Sequence, residues 1–373
     1  PVFASEDLGI IQVESTTIDD KFEQKRDEPS NIGVVSGKTV DRAHTENIQQ
    51  LLQSIPGVTT EVQSGESLKI HIRGIENQAY MGERPGVAVV IDGVPVFERT
   101  GRVNIDLDNI ESIKVIKGGA SYLFGDDALG GAVIITTKRG ASQAGVKLAT
   151  ELGSFGAKKR LARAGYAGDN WSGHIQKSLR ETDGYYDDSA SESDYLNGKL
   201  QYYIDDYSDI TFGFEQAERM KNSHGAVRGV TAAKEDPKSK DPDNEYNDYA
   251  NHYDVELEKY FLTYSRDFRD TDNLMVNVYQ YTDDTLYKSS PAPSDPDIYR
   301  YDNDYAQIQR GLKMEYRAGG EQVGWMAAAD LRDNEYDNYV TFIDCTDMGA
   351  WAGCVVGNPS SDNFTEEKVK AVY

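Results

Sequence analysis

Long hydrophobic runs are absent from this sequence. The longest, such as residues 87–91 and 132–135, hold only a few side chains, far short of the ~20 that a membrane-spanning helix requires. Positive charge is also scarce. Against 63 Asp and Glu stand 39 Lys and Arg, a net charge of −24, which argues against a nucleic-acid binder because phosphates demand a basic footprint. The five histidines (His44, His71, His174, His224 and His252) are scattered and have no second ligand at zinc spacing. No Gly-x-Ser-x-Gly elbow, phosphate loop or dinucleotide fingerprint occurs, so neither an enzyme centre nor a metal site is expected. A soluble protein and a β-barrel remain, since barrel strands hide their hydrophobicity by alternation.

The 24 Tyr and 34 Gly, set against 3 Trp and 2 Cys, lean toward strands and turns. Length alone suggests ~2 or 3 domains. At the N-terminus Val2-Phe3-Ala4 suits the small-residue end of a secretory cleavage site, and equally an ordinary disordered tail. Residues 10–16 are β-prone and precede a polar stretch at residues 19–30, so this short strand has no core of its own to join. Residues 31–140 then read as a compact α+β unit. Ile48, Leu51, Leu52 and Ile55 share one helical face, and Pro56-Gly57 stops that helix. Short β-like runs follow at 68–72, 87–91, 113–116 and 133–137, with Asp92-Gly93 as a tight hairpin turn.

Beyond Gly140 the pattern switches to period two. Val146, Leu148 and Leu152 oppose Lys147 and Glu151; Leu200 and Ile204 oppose Asn197, Lys199 and Gln201; Phe212 and Phe214 oppose Thr211 and Glu215. The alternation returns with Val255, Leu257 and Phe261, with Leu274, Val276 and Val278, with Leu312, Met314 and Tyr316, and with Trp325, Ala327, Ala329 and Leu331. A soluble sandwich also alternates, but its loops are not sorted by parity. Here short turns at 168–170, 205–209, 267–273 and 319–321 alternate with long polar excursions at 185–193, 221–251, 289–303 and 341–363, after a brief first outer turn at 154–156. Tight turns on one side and long loops on the other are the asymmetry of a transmembrane barrel. A barrel wide enough to hold the preceding unit needs ~22 strands, and residues 141–373 supply about nine or ten, so the barrel does not close within this chain.

Six motifs, in order, resemble the plug domain of TonB-dependent outer-membrane transporters of the siderophore-receptor type. They are Asn47-Ile-Gln-Gln-Leu-Leu-Gln-Ser-Ile-Pro-Gly-Val58, Ile70-His-Ile-Arg-Gly74, Val90-Ile-Asp-Gly-Val-Pro95, Ile110-Glu-Ser-Ile-Lys-Val-Ile-Lys-Gly118, Ser121-Tyr-Leu-Phe-Gly125 and Gly130-Gly-Ala-Val-Ile-Ile-Thr-Thr137. The resemblance covers about residues 9–140. The sequence departs from the family at Lys117 and Gly119, where the family usually has Arg and Pro; a Lys keeps the charge but loses the bidentate fork.

The resemblance implies an α+β plug followed by antiparallel outer-membrane barrel strands, with residues 1–30 as an N-terminal tail. It implies energised import of a ferric siderophore or similar chelate. Ile10, Ile11, Gln12 and Val13 then occupy the place of the TonB box, where an extended peptide adds a strand to the TonB C-terminal domain, itself driven by the ExbB–ExbD complex. The same residues also read as the first strand of the plug. Arg73 and Lys117 resemble plug charges that pair with inward barrel carboxylates, for which Glu151, Glu215, Glu256 and Glu315 are candidates; the alternative is that these groups are solvated in a wet lumen. Plug-apex candidates for ligand contact are Tyr80, Met81, Arg84, Phe97, Arg99 and Arg102, joined by His224 and Arg228 of an outer loop, because arginine and aromatic groups suit an anionic, aromatic chelate. Cys345 and Cys354 are expected to staple the last outer loop as a disulfide. No cofactor is expected. Asp241-Pro-Asp-Asn-Glu245 and Asp295-Pro-Asp297 carry suitable ligands for loop calcium but lack a dedicated spacing. Uptake of cobalamin, haem or another metal chelate shares this architecture, and a passive porin or adhesin would use the barrel without the box.

Overall fold

The computed structural model describes residues 32–43, 47–62, 68–76, 86–96, 103–118, 128–223, 230–238, 251–269, 272–288, 300–319, 324–344 and 359–372. The TonB-box residues, the plug-apex and outer-loop ligand candidates, the acidic calcium candidates and both cysteines lie outside them.

The α+β unit opens with β1 (Ile32–Ser36), α1 (Gly37–Ala43) and α2 (Ile48–Gln53). The Asn47 side chain caps α2 by accepting from the Gln50 amide at 3.2 Å, and Ile48, Leu51 and Leu52 are buried on one face, as the spacing predicts. The helix is short because the Ser54 hydroxyl bonds the Leu51 carbonyl at 2.6 Å just before Pro56 and Gly57, the latter at φ 82°. Next come β2 (Val58–Val62), β3 (Leu68–Ile72), β4 (Ile75–Glu76), β5 (Val87–Ile91), β6 (Val94–Pro95), β7 (Ile110–Lys117) and β8 (Gly131–Thr137). One sheet has the order β1-β7-β8-β5-β6, with β5 and β8 parallel, and β2-β3-β4 form another. Asp92 and Gly93 both have positive φ, 53° and 77°, and close the β5–β6 hairpin with the backbone sense that matches strand twist. Sequence patterning does not foresee α1 or β1.

Ten further strands form one meander: β9 (Gly145–Leu152), β10 (Lys158–Ala167), β11 (Trp171–Thr182), β12 (Ser191–Asp205), β13 (Ser208–Ser223), β14 (Asn251–Arg269), β15 (Asp272–Lys288), β16 (Arg300–Gly319), β17 (Gly324–Asp344) and β18 (Pro359–Val372). A small helix, α3 (Val230–Glu235), sits between β13 and β14. Every pair is antiparallel and consecutive, with β9 and β18 at the two edges of the described sheet. The barrel is thus incomplete here, as expected. Several strands run further into the outer excursions than alternation suggests, so residues such as 191–193 and 300–303 are strand rather than loop.

Two faces separate cleanly. Leu148, Leu200, Phe212, Leu262, Val278, Leu312, Trp325 and Leu331 are exposed on the outside, whereas Gln176, Asn197, Glu215, Lys259, Asn277, Lys313 and Asp330 are buried on the inside. That inversion of a water-soluble core is what lipid outside and a filled lumen inside require. Near the short-turn end, Trp171 packs on Tyr202 and Tyr316 on Trp325, a girdle suited to a membrane–water boundary. The core of the α+β unit, with Leu52, Ile70, Ile91, Ile113 and Ile135, is continuous with Tyr195, Ala217, Leu257, Phe261, Tyr279 and Tyr281 of the barrel wall. The unit therefore sits against the inner face of the strands.

Candidate functional site: the plug–barrel interface

The Asp92 turn brings a carboxylate to the barrel wall. Asp92 accepts from the Thr137 amide at 2.9 Å and the Thr137 hydroxyl at 2.6 Å, which fix its rotamer. Its Oδ1 also takes a hydrogen bond from Lys199 Nζ at 3.0 Å, both groups being buried, and Lys199 bonds the Thr137 carbonyl as well at 3.0 Å. Burial alone would raise the Asp92 pKa, but the Lys199 and Lys259 ammonium groups and the Thr137 bonds outweigh it and hold the carboxyl below its ordinary value.

A second contact centres on Asn104-Ile-Asp-Leu-Asp-Asn109, the segment leading into β7. Ile105 and Leu107 pack inward to the plug core, which leaves the polar side chains free to meet the wall. Asp106 Oδ2 accepts from Gln176 at 2.6 Å and Asn197 at 3.0 Å, while its own amide donates to Glu215 Oε1 at 3.2 Å. Asp108 binds Arg180 at 2.5 Å and Lys159 at 3.1 Å, and its carbonyl accepts from Arg163 at 2.7 Å. Asn104 donates to Asp283 and accepts from Arg219, and Asn109 meets His174 Nε2 at 3.3 Å. Two carboxylates two residues apart titrate differently. Burial, Asp108 and Glu215 push Asp106 up to about 6, whereas for Asp108 the Arg180 and Lys159 charges overcome burial and lower it.

At Asp92 and Asp108 the polarity is the reverse of the one expected, with the carboxylate on the plug and the cations, Lys199, Arg180 and Lys159, on the wall. Lys117 does not reach a barrel carboxylate; its Nζ bonds the Pro56 carbonyl at 3.1 Å, inside the plug. Glu256 does not face the lumen. It is exposed on the opposite face, because Val255, Leu257 and Phe261 turn inward, the latter two joining the plug core. Arg73 is exposed in the β3–β4 turn at φ 53°, its guanidinium beside Gly118. Glu151 pairs with Lys159 at 2.7 Å, next to the Lys159–Asp108 bridge. Glu215, fully buried, pairs with Lys259 at 2.8 Å and holds the Asp106 amide. Glu315 is buried against Arg317 at 3.0 Å and Lys313 at 4.0 Å, its neighbours on β16. Of the carboxylates expected to meet the plug, Glu215 bonds it directly, through the Asp106 amide.

Nothing in the sequence pattern singles out Asp106 and Asp108. The available signal is their alternation with Ile105 and Leu107, which puts three polar side chains on the face away from a core.

A stopper domain bonded inside a lipid-facing strand wall defines a plugged outer-membrane barrel. Residues 24–132 match the TonB-dependent Receptor Plug Domain. The iron-regulated outer membrane virulence protein of Vibrio cholerae is 30% identical over 126 residues, covering 31% of this chain and 18% of that protein. The vitamin B12 transporter BtuB of Photobacterium profundum is 24% identical over 282 residues, covering 65% of this chain and 45% of that protein. Among solved structures, the unliganded ferric citrate transporter FecA superposes with a TM-score of 0.73 at 15% identity over 96% of this chain and 56% of that one. The FpvAI–pyocin S2 complex gives 0.72 at 14% over 91% and 49%. The chain thus spans about half the length of these structures and 18% of the virulence protein. The plug match and these neighbours support a TonB-dependent outer-membrane receptor, of which this chain contains the plug and part of the barrel.

Proposed function

We propose that this chain is the plug-bearing portion of an importer that draws a ferric siderophore or similar iron chelate across the bacterial outer membrane, driven by TonB. The observation that carries this reading is the seat of the plug: buried Asp92 and Asp106 and half-buried Asp108 are bonded to Lys199, Gln176, Asn197, Arg180 and Lys159 of the wall. A plug held in this way obstructs diffusion, and breaking a buried pair from one side is costly, so passage calls for work from outside the barrel. A passive porin has no use for such a seat. Iron chelates are favoured by the likeness to the iron-regulated virulence protein and the ferric citrate transporter. Cobalamin is the second reading, supported by the BtuB relative that covers 65% of this chain.

Ile10, Ile11, Gln12 and Val13 supply the strand that the TonB C-terminal domain takes up, and residues 19–30 relay the pull. Tyr80, Arg84, Arg99 and Arg102 meet the chelate from the plug apex. Deleting residues 10–13 of the full-length receptor should abolish uptake of radiolabelled iron chelate while cells still bind it at the surface. Transport retained by that deletion overturns the proposal. A growth-rescue panel of ferric siderophores, cobalamin and haem then identifies the cargo.

A further inference from the structure

Three exposed rings cluster on the long-loop face, away from the plug. Phe155 lies in the β9–β10 turn, and Tyr185 and Tyr186 in the β11–β12 loop; their exposures are 45%, 43% and 45%. Phe155 and Tyr185 meet edge to face with centroids 5.3 Å apart, and Tyr185 and Tyr186 do the same at 5.0 Å. Phe155 is held at φ 58°, a left-handed conformation that a bulky side chain avoids. Its carbonyl is fastened by the Asp183 amide at 2.9 Å and the Thr182 hydroxyl at 3.1 Å, which tie the turn to the neighbouring loop. The backbone is thus bent and pinned so that the ring stands half-exposed beside Tyr185.

The cluster already holds a cation. Lys238, just beyond α3 in the β13–β14 connection, places its Nζ 5.3 Å from the Phe155 centroid and 5.4 Å from that of Tyr185. Its carbonyl accepts from the Asp187 amide at 3.1 Å. One ammonium over two ring faces is the geometry of an aromatic cage for an organic cation. The resident side chain competes with any ligand at the high effective concentration of a tethered group.

We propose that Phe155, Tyr185 and Tyr186 form an outer-face site for an organic cation, an ammonium or guanidinium group, and that Lys238 fills it until such a group displaces it and frees the 230–238 segment. The site is independent of the import reading, since it uses no plug residue. Hydrogen exchange of residues 230–238 in the detergent-solubilised full-length receptor tests it, with tetramethylammonium chloride compared against sodium chloride at equal ionic strength. Tetramethylammonium should speed exchange about tenfold, the factor equivalent to about 1.4 kcal/mol of cation–π attraction. Lys238→Ala should show the fast rate without it, and Lys238→Arg should retain protection. Equal exchange in the two salts with the unaltered protein overturns the proposal, as does a Lys238→Ala variant protected like the parent.

Discussion

An ammonium in a protein interior keeps its charge only if a counter-charge and hydrogen-bond acceptors stand close by, and Lys199 has both in Asp92 and the Thr137 carbonyl. Lys199→Met removes the cation and leaves the Asp92 carboxylate buried. The plug should then melt earlier in scanning calorimetry, by an amount corresponding to about 3–5 kcal/mol. Combining it with Asp92→Asn should recover most of the loss, because the orphaned charge is gone; an additive double variant counts against the pairing. Asp92 is legible in the sequence as a turn residue, since Asp-Gly between two apolar runs is a local signal. Its second role is not, because Lys199 stands 107 positions away and period two shows only that it faces the lumen, not what it meets.

Along the strands, three glycines lie opposite aromatic residues of the next strand: Gly213 opposite Phe261, Gly311 opposite Tyr279 and Gly198 opposite Phe214. A Cβ on Gly213 would lie 2.2 Å from the Phe261 ring, and one on Gly311 2.2 Å from Tyr279. These gaps let the rings lie flat across the sheet while Phe261 and Tyr279 pack on the plug core. Gly213→Val should force the Phe261 ring out of that core at a cost of about 1–3 kcal/mol, read as a lower temperature for loss of the fast-migrating folded band on gels. An unshifted transition would refute the packing account. Strand positions and loop parity were legible because both rest on local patterns. The face of β14 was not, since Val255, Leu257 and Phe261 look lipid-facing until one knows that the lumen contains an apolar domain.

For the molecule as a whole, Asp106 ties the plug to three strands of the wall at once, touching Gln176 of β11, Asn197 of β12 and, through its amide, Glu215 of β13. Around it stand Asp108, Arg180, Lys159, Arg163 and Lys259. With its carboxyl raised from 3.8 to about 6, the docked state binds the proton more tightly than the unfolded chain. Its contribution to stability is therefore complete below about pH 4 and is lost as pH rises toward about 6. Asp92 and Asp108, both lowered, act in the opposite sense and weaken docking only as acid protonates them. Subtracting the melting curve of Asp106→Asn from that of the parent between pH 4 and 7 should isolate a downward slope; a flat difference would contradict it. The seat has a consequence for whatever travels past it. On the proposed import reading, a plug drawn out of the barrel would deprive Lys199 and Arg180 of the aspartate oxygens that now cover them. The duct so opened would present an ammonium and a guanidinium freed of their aspartate partners, which favours the approach of anions on this side of the wall.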